Sequence, residues 1–158
     1  MEKIETVNVK ISNSDPSALG LFGLAMVTFV ASSQKLGWTE GYSYVIPWAI
    51  FLGAFAQLFA CINDSKRMNT FGTTAFGAYA FFWMGVAASW MINMGVFGEA
   101  LASNTDPKQL GFAFLGYLIF TLFMTIGAME THKVLFLIFF FINFLFIGLT
   151  LEDRKSVV

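Results

Sequence analysis

Val134–Leu151 reads VLFLIFFFINFLFIGLTL, a run with no charged side chain and one amide, Asn143. A helix needs roughly 20 mostly apolar residues to cross the hydrocarbon core of a bilayer, and this run is close to that length. A strand of a membrane barrel would need about ten residues alternating with period two. Nothing here alternates, so a transmembrane helix is the reading. Four more charge-free stretches of similar character precede it, which predicts spans over 17–34, 43–63, 70–95, 109–129 and 134–151. The connectors Lys35–Glu40, Asp64–Arg67, Glu99–Lys108 and Glu130–Lys133 are too short for a soluble domain, and Asn104-Thr105-Asp106-Pro107 carries turn chemistry.

Composition agrees, with 57% hydrophobic and 12% charged residues among 158 and a mean hydropathy of +0.70. The expectation is an all-α integral membrane protein: one helical bundle over 17–151, between a polar N-terminal segment 1–16 and a polar tail 152–158. The first sixteen residues lack the basic start, apolar middle and small-residue cleavage site of a signal peptide. A net charge of −1 argues against nucleic acid as a partner, since that needs a basic face. The single cysteine, Cys61, rules out an intrachain disulfide and a cysteine metal cluster.

Lys and Arg in short loops favour the cytoplasmic side. With the N-terminus inside, that side holds Lys3, Lys10, Lys66, Arg67 and Lys133, and the outer loops hold Lys35 and Lys108. Arg154 and Lys155 then fall outside and weigh against the assignment. Short loops and tails suit a prokaryotic inner membrane.

Two helix starts invite a functional reading. Asp15 suits an N-cap and Pro16 the first helical position, where its missing N–H has no intrahelical partner. The small residues Ser17, Ala18 and Gly20 would let an anion approach the positive end of that helix. Alternatively this is a well-capped helix whose Gly20 and Gly23 pack against neighbours. Asn69 can cap the third span, with Gly72, Thr73 and Thr74 in its first turns, and both starts lie on the same side when spans alternate. Together they would form one anion-attracting mouth, with plain capping the alternative. The spans hold neutral polar groups, Thr28, Gln57, Tyr79, Asn93, Thr121, Thr125 and Asn143, which must find partners or water inside a bilayer. Gln57 and Asn143 are expected to face the interior, as substrate contacts or as glue between helices. Gly72, Phe76, Tyr79, Trp83 and Trp90 recur at helical spacing and read as a packing face. His132 is the sole histidine, so no triad, metal site or cofactor site is expected, and no phosphate loop occurs. The chain does not read as an enzyme.

These blocks carry a resemblance. DPSALGLFGLAM, from Asp15, resembles the N-P-x-P-x-G-L-x-G-F signature of the acetate uptake transporter family, with Asp15 for the asparagine, Ala18 for the second proline and Leu24 for the phenylalanine. FAQLFACINDSKRMNTFGTTAFGAYAFFW, Phe55–Trp83, resembles the family's second loop and third helix. FTLFM, Gly127 and KVLFLIFF resemble its fourth and fifth helices. The resemblance covers roughly residues 14 to 150. It implies a homo-oligomer, typically a hexamer, with a pore in each protomer that passes acetate and in some members succinate. The family's apolar constriction falls on Leu24, Tyr79 and Ile142, of which the tyrosine alone is kept. Ser17, Gly20, Thr28, Gln57, Asn69, Thr73 and Asn143 are the substrate-binding candidates. The family has six helices, and this chain reaches LTLEDRKSVV after five, which leaves a truncated product or completion by a neighbour as expectations. The function expected is passage of acetate and related carboxylates with protons. The alternatives are a non-transporting scaffold or inactive member, or a channel for a small neutral solute such as ammonia.

Overall fold

Each uncharged run becomes a helix because a backbone in lipid must satisfy its own N–H and C=O groups. The computed structural model describes residues 14–155, with side chains to residue 151. The polar segments expected at 1–16 and 152–158 therefore lie mostly outside the described residues, as do Lys3 and Lys10. The helices are α1 (Ser17–Lys35), α2 (Val45–Lys66), α3 (Thr70–Asn93), the short α4 (Glu99–Ala102), α5 (Pro107–Met129) and α6 (Lys133–Lys155). Five of them, all but α4, are long and apolar enough to span a bilayer. No strand occurs among the described residues. α2 runs three residues beyond the expected limit, to Lys66, where the Arg67 N–H closes the last turn on the Asn63 and Asp64 carbonyls.

The chain divides into two compact units, up to Trp90 and from Met91. In the first, α1 lies on α2 through small residues. A Cβ on Gly23 would collide with the Leu52 carbonyl, and one on Gly20 would stand 2.9 Å from the Ala60 methyl and 2.5 Å from the Phe76 ring. Lipid tails are as apolar as leucine, so helices in a bilayer associate by close van der Waals fit, which small residues permit. Ala49–Ala56 in α2 is wound as a π-helix, which begins two residues after Pro47. The buried face of α3 includes Gly72, Phe76, Tyr79 and Trp83, as its spacing predicts, while Trp90 is half-buried and stacks on Tyr42 at 4.9 Å between ring centroids.

In the second unit α5 and α6 form a tight antiparallel hairpin through Glu130–His132. Asp106 caps α5, accepting from the Lys108 N–H at 2.9 Å, with Pro107 in the first turn. Tyr117 stacks on Phe146, with ring centroids 5.9 Å apart. Large apolar side chains such as Phe29 (69% exposed) and Phe123 (71%) face outward. Water would penalise such surfaces, whereas lipid or a neighbouring subunit accepts them.

Candidate functional site

The doorway at α1 is occupied by the chain's own charges. The helix starts one residue later than its sequence suggests: Pro16 stands at the N-cap position and Asp15 Oδ1 accepts from the Ser17 N–H at 2.9 Å. Asp15 also pairs with Arg67, in the turn between α2 and α3, at 3.0 Å. This pair places the starts of α1 and α3 on one side, as the alternation of spans requires. The Ser17 hydroxyl and N–H, with the Arg67 guanidinium beside them, hold the Asp15 carboxyl below the ordinary aspartate range.

Asn69 caps α3 as expected, its Oδ1 accepting from the Gly72 N–H at 3.1 Å. The Thr73 hydroxyl donates to the Asn69 carbonyl at 2.8 Å. Both candidates thus spend hydrogen bonds on the helix start. Ser17, Leu24 and Thr28 on α1 are half-buried and Gly20 is buried.

The polar centre of the first unit is Gln57. It is fully buried, and its Nε2 donates to the Gly53 carbonyl at 2.6 Å while Oε1 has no partner. Gly53 also meets Trp83, whose Cγ would lie 2.7 Å from a Cβ at that position. The buried Trp83 Nε1–H has no acceptor. One turn before it on α3, Tyr79 is 3% exposed. Two side chains that meet the same glycine thus each keep one unpaired polar atom, an acceptor on Gln57 and a donor on Trp83, and each costs about 1–3 kcal/mol if left unmet. Trp83 reads as packing from sequence, and its place four residues after Tyr79 is the signal that links it to the site.

In the second unit Asn143 is buried and ties the hairpin together, donating to Thr125 Oγ1 at 2.8 Å and to the Phe139 carbonyl at 3.0 Å. Thr125 and Thr121 each donate to the carbonyl four residues earlier, at 2.7 Å. Asn143 therefore serves as glue, although its Oδ1 remains unpaired. Ile142, beside it, is half-buried. Among the described residues no three His, Cys, Asp or Glu side chains gather where a metal ion could sit.

Residues 4–156 match the GPR1/FUN34/yaaH family. The chain belongs to that family. Within reach of it, the succinate-acetate/proton symporter SatP of Escherichia coli (strain K12) is 34% identical over 139 residues, 88% of this chain and 71% of that protein. Acetate permease A of Emericella nidulans is 30% identical over 154 residues, 90% of this chain and 51% of the permease. A solved structure titled as that of the bacterial acetate channel SatP superposes with a TM-score of 0.83 at 31% identity, covering 92% of this chain and 78% of the other. Family membership bears out the resemblance carried by Phe55–Trp83.

Proposed function

We propose that this protein carries acetate and related small carboxylates across a membrane, together with protons. The observation that carries the reading is the superposition on an acetate channel over nearly the whole chain. The interior chemistry suits it. Gln57 Oε1 can accept and Trp83 Nε1 can donate, the complement of a carboxylic acid, which has one O–H and one carbonyl. A bare carboxylate would meet one donor and one repelling oxygen. Dry passage of the anion costs many kcal/mol, so the neutral acid is the species this centre favours.

Leu24, Tyr79 and Ile142 are proposed as the apolar constriction, and Ser17, Gly20, Thr28, Asn69 and Thr73 as the approach to it. Asn143 has a place in the proposal through its unpaired Oδ1. We assign the N-terminus to the cytoplasm and the protein to a prokaryotic inner membrane, as a homo-oligomer of six. Outward-facing phenylalanines on all five long helices, Phe81 on α3 among them, support contact with lipid and with copies of itself. The test is uptake of labelled acetate by cells deprived of their own acetate carriers. Saturable uptake, competed by unlabelled acetate and propionate and weakened by Tyr79→Ala, is expected; uptake equal to that of cells without the protein overturns the reading.

A further inference from the structure

Asp64 is a loop residue by sequence, yet its side chain is fully buried. It occupies the last turn of α2, seven residues after Gln57, so the two lie on one face about 10 Å apart along the helix. Neither carboxyl oxygen has a hydrogen bond of good geometry, and the one donor that acts on the group is the Asn69 side-chain amide. Oδ2 fills the space where a side chain at position 72 would begin, so Gly72 is what admits the carboxyl against the start of α3, and the Asn69 amide stands beside it. Arg67, three residues on, is turned to Asp15 instead.

Burying an ionised carboxylate with one amide beside it and its nearest cation turned to another acid is expensive, and a proton removes the expense. The charged or titratable groups that act on Asp64 are Arg67 and Asp15, already paired with each other, and the Cys61 thiol on α2. The first turns of α3, Thr70–Ala75, bring no titratable side chain. A buried carboxyl therefore sits at one end of the face whose middle is Gln57.

We propose that Asp64 exchanges a proton with the passing carboxylate at the end of the pathway formed by the α2–α3 turn. When an acetate anion enters from that side, the Asp64 Oδ–H bond breaks and an O–H bond forms on acetate, giving acetic acid for the Gln57–Trp83 centre. Asp64 recovers its proton from the water on the same side. In the reverse direction acetic acid arriving from the centre gives its proton to Asp64 and leaves as the anion. One proton thus moves with each carboxylate, and no other reactant is needed. The inference rests on the acetate reading for what moves, and on the buried carboxyl for where the proton sits.

The test is exchange of labelled acetate by the purified full chain in liposomes, with equal pH on both sides, comparing the parent with Asp64→Asn and Asp64→Glu. At about pH 7.5 an ordinary carboxylic acid is almost fully ionised, and Asp64→Asn should exchange at least about tenfold more slowly, while Asp64→Glu retains most of the rate. At about pH 4.5 much of the acetate is already the neutral acid, and all three should agree within about twofold. A merely structural aspartate would lower the rate equally at both pH values, and that result, or an unchanged Asn variant, overturns the proposal. Infrared spectroscopy supplies a readout independent of transport: the parent should show a carboxylic-acid C=O band that disappears with pH and is missing in Asp64→Asn. That band in a parent that moves no acetate would sink the acetate reading and keep the proton site, whereas its absence from the parent overturns the proton site. Should Asp64→Asn fail to assemble, Asp64→Glu carries the test, since a longer carboxyl displaces the pH dependence of exchange if the group works and leaves it unmoved if not.

Discussion

Gln57 is the side chain on which the proposed chemistry turns. Its Oε1 is buried and unpaired, so an apolar residue of similar size should hold the fold as well or better. Gln57→Leu is therefore expected to leave the melting temperature unchanged or raised and to lower acetate uptake by tenfold or more, about 1.4 kcal/mol of lost stabilisation. A parallel loss of stability and uptake would make Gln57 a packing residue. Asp15 gives a second prediction, in pH. Its folded carboxyl lies below its ordinary range, so its contribution to stability is present at neutral pH and is lost as the pH falls through that lowered value. Thermal melts of the parent and Asp15→Asn should differ above the ordinary aspartate range and converge in acid. The inward placement of Gln57 and Asn143 was legible, because an amide in a charge-free span has nowhere else to go. Asp64 was not, because a carboxylate next to Lys66 and Arg67 looks like solvated loop until Gly72 shows the space that receives it.

At the scale of elements, the turn between α2 and α3 holds backbone strain. Met68 adopts a φ of +59° with an exposed side chain. A left-handed conformation costs a non-glycine residue about 1–2 kcal/mol. Met68→Gly should therefore raise stability by about 1 kcal/mol, read by thermal unfolding in detergent, and a fall would mean that the methionine side chain makes contacts of its own. In the α5–α6 hairpin, Thr125→Val removes the acceptor of the Asn143 amide and should cost about 0.6–2 kcal/mol, with Asn143→Leu adding little on top. Helix existence and most limits were readable from spacing between charges, and the Asp106–Pro107 start from its turn chemistry. The π-wound stretch Ala49–Ala56 was not, since its composition is that of any apolar span. It matters because it carries both the Leu52 carbonyl that reaches Gly23 and the Gly53 carbonyl that holds Gln57.

For the whole molecule, the proposed transport rests on few parts: long apolar helices, a centre with one unpaired donor and one unpaired acceptor, and a buried carboxyl at one end of the same helix face. Composition alone separates this protein from soluble classes, and the ordered blocks from Asp15 to Phe140 point to the family. Which residues meet inside it is three-dimensional information, visible only when Gly53 is seen against Trp83. The most direct measurement is uptake of labelled acetate into liposomes holding the purified chain, with and without an inward proton gradient. Saturable uptake that the gradient stimulates is the predicted result; uptake no greater than in empty liposomes, or indifferent to the gradient, would contradict proton-linked carboxylate transport by this chain.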